Sequence, residues 1–332
     1  MGNSPATPNK IMPIKVKYPI PSIVRSKYLM RSIFFFFLFI ATGEIFARYY
    51  LGLGTPPLSV AHPRIEYMYK PNQDVYRFGH HFIVNQYGMR STPFSTKKSI
   101  NELRVMVVGD SVVNGGNPTD HNELATSILK DKLAKIVRQN VVVGNISAGS
   151  WGPGNWLAYA KEYGFFDADI VVLVISSHDD NDNPSFAPLN HNTHPTEEPK
   201  SALIEGVEIY LPRYIPQMAS SKSLIEAYKG TQNEDENTEK EVEKGIGDLK
   251  SFLELAKSNS KTVLVFQHYE KPELESRHPK PGYQLIKATC EKLGIIPSSL
   301  EPYFRRSIES GVDPYRDFIH PNQTGQKLIA EA

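Results

Sequence analysis

The sequence predicts an α/β domain, in which helices cover both faces of a parallel sheet, preceded by one membrane-spanning helix. Two observations carry this prediction. From residue 103 onwards, short apolar runs typical of buried strands alternate with segments of helical periodicity. Before them lies one long apolar stretch of the length that crosses a bilayer. Strands that alternate with helices usually pair in parallel, because each helix returns the chain to the same end of the sheet.

The composition is that of a globular protein with attached segments. The 332 residues suffice for one good-sized domain, and the apolar and charged fractions of 40% and 22% are ordinary. A formal net charge of +1 argues against a nucleic-acid partner, which usually requires a clearly basic domain. The single cysteine, Cys290, excludes an internal disulfide and a cysteine-based metal site.

The apolar stretch extends from Tyr28 to about Leu53 and contains the run IFFFFLFIA at positions 33–41. This length exceeds the roughly 20 residues that a membrane-spanning helix needs. Two charges within the stretch, Glu44 and Arg48, lie four residues apart and can pair on one face of a helix. Residues 28–53 are therefore predicted to span the membrane.

Three interpretations of this stretch compete. The four consecutive phenylalanines leave no polar face, which disfavours a buried core helix. A cleaved signal peptide is disfavoured because the preceding region is as long as a whole signal peptide and no clean A-x-A site follows. An uncleaved signal anchor is favoured. All charged residues ahead of the apolar run are basic, so its N-terminal side is predicted to be cytoplasmic. They are Lys10, Lys15, Lys17, Arg25, Lys27 and Arg31.

These observations divide the chain into four parts. Residues 1–27 form a basic, proline-rich tail that is predicted to be disordered, and residues 28–53 form the anchor. Residues 54–102 are interpreted as an ordered juxtamembrane neck, with a short strand and a turn at 80–90. Residues 103–332 form the α/β domain, which the anchor places outside the inner membrane, facing the periplasm or exterior.

Within the α/β domain, the predicted strands and helices follow each other closely. Buried strands are predicted at 103–109, 141–147, 169–176 and 261–267. Helices are predicted at 121–138, 155–164, 236–258 and 282–293, with a last one starting near Pro321. Residues 180–235 interrupt the alternation. They are too long for a simple loop, so an excursion with some structure of its own is expected near the strand ends.

Ligands of parallel α/β sheets bind at the carboxyl ends of the strands, and a candidate nucleophile follows the first of them. Ser111 comes directly after strand 103–109, while Asp317 and His320 lie three residues apart before the last helix. A serine hydroxyl needs a base to take its proton, and the base needs a third group to orient it. Ser111, His320 and Asp317 are therefore predicted to act as nucleophile, base and orienting carboxylate.

The residues around these three positions resemble the sequence blocks of the GDSL/SGNH hydrolase superfamily. The resemblance covers about residues 103–332, keeps the order of the blocks, and implies a three-layer α/β/α, flavodoxin-like fold. It also implies the triad Ser111, Asp317 and His320. The matching residues are Gly109, Asp110 and Ser111 in the first block, and Asp317, His320, Pro321, Asn322 and Gly325 in the last.

The same resemblance implies an oxyanion hole with two departures from the family pattern. The backbone amide of Ser111 is one donor, and the second block gives an amide from Ser150 or the adjacent Gly149. In the third block His178 replaces the usual asparagine, and an imidazole can also donate a hydrogen bond. Asp110 is interpreted as a structural hydrogen-bonding residue.

No metal site and no cofactor site are predicted. His178, Asp179, Asp180 and Asp182 lie close together in sequence, but the pattern lacks the glycine and glutamate of a calcium loop and is interpreted as a solvated loop. The glycines after residue 109 match no nucleotide-binding motif. Trp151 and Trp156 flank the second block, and one is expected in the core and the other as a platform for a sugar.

The function predicted from these features is that of a membrane-anchored serine esterase that hydrolyses acyl or acetyl esters, with a carbohydrate as the expected substrate. Anchor and neck are similar to those of bacterial envelope proteins of the GDSL/SGNH type, some of which act on exported polysaccharides together with the machinery that makes them. Two alternatives stay open: an O-acetyltransferase acting on exported polysaccharide, and a catalytically degenerate protein that binds a glycan.

Overall fold

The computed structural model describes residues 22–211 and 236–332. The chain separates into two units, residues 1–45 and residues 46–332. The first unit contains most of a long helix, α1 (Ser22–Tyr49), which begins ahead of the predicted span and so includes the last residues assigned to the tail. The rest of the predicted disordered tail lies outside the described residues.

Helix α1 is long and apolar enough to cross a membrane between Ser26 and Tyr49, and 0% of the apolar 18-residue window within that stretch is buried inside the protein. Its phenylalanines are exposed, Phe39 by 76%. A core helix would bury these rings, so that interpretation is wrong. A membrane span and a signal sequence both fit the helix.

Nine strands are present in the described part of the chain. They are β1 (Ser59–His62), β2 (Glu66–Tyr69), β3 (Gln73–Arg77), β4 (His80–Val84), β5 (Glu102–Gly109), β6 (Asn140–Ser147), β7 (Ile170–Ser176), β8 (Thr262–His268) and β9 (Ser298–Ser299). The further α-helices are α2 (Ser111–Asn114), α3 (Ala125–Ile136), α4 (Pro153–Tyr163), α5 (Ala202–Glu205), α6 (Glu236–Asn259), α7 (Lys271–Ser276), α8 (Pro281–Lys292), α9 (Glu301–Glu309) and α10 (Gln323–Glu331).

Strands β5 to β9 form one parallel sheet in the order β6-β5-β7-β8-β9. Numbered along the chain, the strands of this sheet lie in the order 2-1-3-4-5, which is the order of flavodoxin-like folds. The prediction of a parallel α/β sheet is confirmed. The two-residue edge strand β9 has no apolar run and was not predicted.

Side chains along each central strand point alternately into two cores, which lie on opposite faces of the sheet. In β5, Met106 and Val108 belong to the core with α4, α6 and α8, whereas Val105 and Val107 belong to the core with α3, α9 and α10. The fold therefore has three layers, as the sequence predicts.

Two antiparallel hairpins, β1–β2 and β3–β4, make up most of the segment interpreted as a neck. The predicted short strand at 80–90 is β4. Ile65, Tyr67, Met68 and Met89 are buried in the same core as α4 and α6. This segment therefore packs on the α/β domain through apolar side chains and is part of the same folded unit.

The excursion between β7 and α6 does contain structure of its own, as expected. Helix α5 is followed by one turn of π-helix, Gly206–Tyr210, while residues 212–235 lie outside the described part of the chain. Asp179 and Asp180, at its beginning, are 0% and 8% exposed. The interpretation of this region as a solvated loop is wrong for these two residues.

A buried ion pair fixes the excursion to the second hairpin. Nη2 of Arg77 lies 2.5 Å from Oε1 of Glu205, and the two side chains are 1% and 2% exposed. The backbone N–H of Gly54 donates to the other oxygen of Glu205 at 2.5 Å.

Glu205→Ala is expected to lower the free energy of unfolding by about 3–5 kcal/mol, because it leaves the guanidinium of Arg77 buried without its carboxylate. Urea denaturation followed by near-UV circular dichroism measures this loss. The matched control is Glu208→Ala, which removes an exposed carboxylate from the same excursion. Equal effects of both substitutions would contradict the structural role of the ion pair.

Candidate active site

The turn after β5 presents Ser111. The Cβ of any side chain at Gly109 would lie 2.4 Å from a methyl group of Val113, so only glycine fits there. The next residue, Asp110, caps helix α2 because its Oδ1 accepts the N–H of Val112 at 2.8 Å. The structural role predicted for Asp110 is confirmed. Helix α2 is only four residues long, which leaves Ser111 partly exposed at its start.

Ser111, His320 and Asp317 form a chain of hydrogen bonds. Nε2 of His320 lies 3.0 Å from Oγ of Ser111, and Nδ1 lies 2.8 Å from Oδ2 of Asp317. Oδ1 of Asp317 accepts the backbone N–H groups of Ile319 at 2.9 Å and of His320 at 2.8 Å. The imidazole is thus held between a hydroxyl and a carboxylate, as general-base activation of a serine requires.

The loop that carries Asp317 and His320 is positioned by helix α10. Asn322 caps this helix by accepting the N–H of Gly325 at 3.2 Å, and its Nδ2 donates to the carbonyl of Asp313 at 2.8 Å. Gln326, which is fully buried, donates from Nε2 to the carbonyl of Val112 at 2.7 Å. Helix α10 is thereby hydrogen-bonded directly to the helix that begins with the candidate nucleophile.

The carboxyl of Asp317 is kept ionised by its partners. Partial burial raises the pKa of Asp317, but the hydrogen bonds from His320 and from the N–H groups of His320 and Ile319 outweigh it and lower the pKa below its usual range. A carboxylate in this state stabilises the imidazolium that forms when His320 takes a proton.

The loop after β6 carries Gly149 and Ser150, the residues predicted to contribute an amide to the oxyanion hole. Ser150 has φ 56°, in the left-handed region that favours glycine. A Cβ on Gly152 would lie 1.9 Å from the carbonyl of Asp182, so this loop packs tightly against the start of the excursion. The loop is therefore held close to the carboxyl end of β5.

The two tryptophans beside this loop are both buried, at 1% and 0% exposure for Trp151 and Trp156. Their indole N–H groups donate to the carbonyls of Tyr67 and Gly109, each at 3.0 Å. The suggestion that one of them is a platform for a sugar is therefore wrong. Trp156 instead supports the strand end that leads to the candidate nucleophile.

His178, the third predicted oxyanion donor, lies in the short 3₁₀ turn after β7 and is surrounded by carboxylates. Its Nε2 lies 3.5 Å from Oδ2 of Asp110 and 3.6 Å from Oδ1 of Asp179. Its Nδ1 lies 3.3 Å from Oε1 of Glu270. To donate to an oxyanion, the ring would have to turn one nitrogen away from these carboxylates.

The carboxylates also determine the charge of the ring. Burial lowers the pKa of His178, but the neighbouring carboxylates of Asp179, Asp110 and Glu270 raise it well above the usual value. The surrounding carboxylates therefore favour the protonated form of the imidazole.

A cavity of about 440 Å³ reaches the predicted oxyanion loop at Gly149, but Ser111, Asp317 and His320 are not among its lining residues. Gly116, which follows the nucleophile helix, and Gly149 contribute to its wall. The opposite side comes from the two hairpins and the excursion, with polar and aromatic side chains. Among them are Tyr69, Phe82, His191, Asn192, Glu197 and Glu198.

Sequence reasoning missed several residues that shape the site. Glu270 follows β8 and faces His178, and Gln326 bonds α10 to α2. Tyr69 donates from its hydroxyl to Oδ1 of Asn114 at 3.2 Å, connecting the first hairpin to the nucleophile helix. The position of Glu270 just after a predicted strand could have indicated that it belongs to the site. Tyr69 and Gln326 gave none, because their partners are distant in sequence.

No family profile matches the sequence, and no curated protein matches it. Among solved structures, a variant of an acetylxylan esterase from Geobacillus stearothermophilus has 14% sequence identity and a TM-score of 0.42, with 72% of this chain and 94% of that chain covered. A member of the lipolytic G-D-S-L family from Veillonella parvula has 12% identity, a TM-score of 0.41 and coverages of 69% and 94%. An α/β hydrolase from the metagenome of Lake Arreo has 15% identity, a TM-score of 0.41 and coverages of 69% and 91%.

Proposed function

We propose that this protein is a serine esterase with Ser111 as nucleophile, His320 as general base and Asp317 as orienting carboxylate. The observation that carries the proposal is the continuous chain of hydrogen bonds from Oγ of Ser111 through His320 to Asp317. A serine that merely capped a helix would not need an imidazole at 3.0 Å from its hydroxyl.

In the proposed reaction, Oγ of Ser111 attacks the ester carbonyl while Nε2 of His320 takes its proton. The imidazolium then protonates the leaving alcohol, and an acyl-serine forms. Water, deprotonated by His320, attacks the acyl-serine, and the imidazolium then returns the proton to Oγ of Ser111 as the bond to the acyl group breaks and the acid leaves. Asp317 accepts from Nδ1 throughout, which fixes the ring and stabilises its charged form.

The negative charge on the tetrahedral intermediate is stabilised, in this proposal, by backbone N–H groups of Ser111 and of Ser150 or Gly149. These residues follow the carboxyl ends of the paired strands β5 and β6. His178 is a further predicted donor, provided that its ring leaves the neighbouring carboxylates. Removal of one such donor typically lowers kcat about 10²–10³-fold.

We further propose that α1 anchors the protein in the inner membrane with its catalytic domain outside the cytoplasm. The helix is apolar over Ser26–Tyr49, and the basic residues that precede it favour the cytoplasmic side for that end. Tyr49 and Tyr50 are of the type that occupies the far interface.

We propose an O-acylated, and more specifically an O-acetylated, carbohydrate as the substrate. The cavity beside Gly149 offers carboxylate, amide and imidazole groups that can bond to sugar hydroxyls. Tyr69, which is half-buried, adds aromatic surface in the same wall, whereas Phe82 behind it is buried. An extracytoplasmic domain would meet such polymers in the cell envelope.

The test is a comparison of ester substrates with the full chain purified in detergent. We expect release of nitrophenol from 4-nitrophenyl acetate and of acetate from O-acetylated oligosaccharides, with slower turnover of octanoyl esters. A folded protein that released neither product would contradict the esterase and favour glycan binding without catalysis.

Acetyl transfer is a second candidate, because the cavity that reaches Gly149 has room and polar groups for a second hydroxyl compound. The same assay distinguishes it: an unacetylated oligosaccharide would become acetylated, and nitrophenol release would then exceed acetate release. Equal amounts of the two products would identify water as the acceptor.

A further inference from the structure

We propose that Asp110, His178 and Asp179 bind one divalent metal ion of the zinc type beside the nucleophile turn. The ion would be ligated by Oδ2 of Asp110, Nε2 of His178 and Oδ1 of Asp179. These three atoms lie within 4.8 Å of one another.

The two distances from Nε2 of His178 to the carboxylate oxygens fit metal ligands better than a hydrogen-bonded ion pair. Nε2 of His178 lies 3.5 Å and 3.6 Å from the two carboxylate oxygens, whereas charge-assisted N–H···O contacts are about 2.7–2.9 Å long. In a tetrahedral site with metal–ligand bonds of about 2.1 Å, neighbouring ligand atoms lie about 3.4 Å apart. The imidazole therefore sits where a ligand would, slightly too far away for a strong hydrogen bond.

Among the described residues, each of the carboxylates of Asp110 and Asp179 has one oxygen that accepts a backbone hydrogen bond and one oxygen without a hydrogen-bond partner. Oδ1 of Asp110 accepts from the N–H of Val112 at 2.8 Å, and Oδ2 of Asp179 accepts from the N–H of Ser176 at 2.7 Å. The remaining oxygens have no hydrogen-bond partner in the described part of the chain. Both carboxylates are 1% exposed or less, so these oxygens lack solvent as well.

Nδ1 of His178 faces a carboxylate, as the second nitrogen of a metal-ligating imidazole usually does. Nδ1 lies 3.3 Å from Oε1 of Glu270, and Nζ of Lys280 bonds both oxygens of that carboxylate at 2.8 Å and 2.7 Å. Nδ1 makes no hydrogen bond to the described residues in this arrangement, and a small rotation that lets Glu270 accept from it would fix the ring and direct the lone pair of Nε2 at a metal. A bound metal takes the place of a proton on Nε2, so His178 can donate to an oxyanion only in the metal-free protein.

The ligand set indicates which ions fit. One imidazole and two carboxylates suit Zn²⁺ and its first-row neighbours, whereas Ca²⁺ takes six to eight oxygen ligands. His178 is 28% exposed in its side chain, so the site lies near the surface although the carboxylate oxygens themselves are buried. Bound there, it would hold the turn after β5 to the turn after its sheet neighbour β7.

The experiment uses the untagged full chain in detergent, treated with a chelator and then titrated with Zn²⁺ in a calorimeter. We expect one bound equivalent, a higher Tm with Zn²⁺ than after chelation, and no such effect of Ca²⁺. Co²⁺ should bind the same site and give the visible absorption of a tetrahedral ion, which reports on the wild-type protein without any substitution.

Substitutions locate the ion. Asp179→Asn and His178→Gln should weaken Zn²⁺ binding by at least about 100-fold, and Glu270→Gln by about 10–100-fold. Asp74→Asn is the control, because Asp74 pairs with His81 at 3.2 Å on the surface and offers a similar but exposed site. Ser111→Ala should bind Zn²⁺ as the wild type does, so failure of the proposed esterase and failure of the metal site are distinguishable.

Two results would overturn the proposal. One is the absence of a one-equivalent site in the wild-type protein for both Zn²⁺ and Co²⁺, which would leave the protonated imidazole as the cation among these carboxylates. The other is binding that persists unchanged in Asp179→Asn and His178→Gln but is lost in Asp74→Asn.

Discussion

Ser111→Ala should lower kcat for ester hydrolysis by about 10⁴–10⁶-fold, because it removes the hydroxyl that is bonded to His320, the imidazole that Asp317 orients. The alanine keeps the backbone N–H that is predicted to bind the oxyanion, so the loss reports on the nucleophile alone. The initial rate of 4-nitrophenyl acetate hydrolysis measures the effect, and near-UV circular dichroism shows that the fold is retained. The double variant Ser111→Ala/His320→Ala should be no slower than the single one, since the two residues act as a unit.

The matched control for this substitution is Ser258→Ala, on the exposed side of α6, which should leave the rate unchanged. If Ser111→Ala retained more than about a tenth of the wild-type rate, a different group would perform the attack, and the assignment of the triad would be wrong.

Asp317→Asn should lower kcat by about 10⁴-fold with little change in KM. The amide would donate a hydrogen bond to Nδ1 of His320 where the carboxylate accepts one. It would therefore favour the tautomer that has its proton on Nε2, which cannot take the proton of Ser111. Asp131→Asn, on the exposed side of α3, provides a control of the same chemical change.

The same variant has a pH signature that does not depend on activity. The pKa of Asp317 is lower in the folded protein than the unfolded value of about 3.9. Its contribution to stability is then complete above about pH 5 and is lost as the pH falls through the folded pKa. The urea midpoint of the wild type should therefore approach that of Asp317→Asn below about pH 4. A difference that stayed constant from pH 7 to pH 3 would contradict the bonding of Asp317.

Most of the α/β architecture could be predicted from the sequence, because buried parallel strands are continuous apolar runs. The predicted strand 169–176 and helix 236–258 match β7 and α6 within about a residue. The edge strand β9 was not predicted, because its two serines form no apolar run. Helix α9, in the segment EPYFRRSIE, was not predicted either, because its few apolar residues stand among charged ones.

The hairpins illustrate a different limit. Their strands are four or five residues long, and the alternation that marks a half-buried strand needs more residues to stand out. Their packing against the sheet depends on Ile65 and Tyr67 meeting α4, a contact between residues about 90 positions apart, such as the bond from Asn155 to the carbonyl of Ile65. Periodicity within one segment carries no information on such a contact.

The candidate site was predictable where its residues follow strands and form short local patterns. Ser111, and Asp317 with His320, are brought together as the sequence predicts. The surroundings of His178 were not predictable. They depend on carboxylates from three separate strand ends, including Glu270 after β8, which a local pattern of aspartates cannot reveal.

The most direct test of the central claim is to identify the residue that becomes covalently modified. The full chain is treated with a fluorophosphonate, which reacts with activated serines, digested, and its peptides are analysed by mass spectrometry. We expect one adduct, on Ser111, that disappears in His320→Ala because the hydroxyl is no longer activated. An adduct on another serine, or none on a protein that hydrolyses esters, would contradict the assignment of Ser111 as nucleophile.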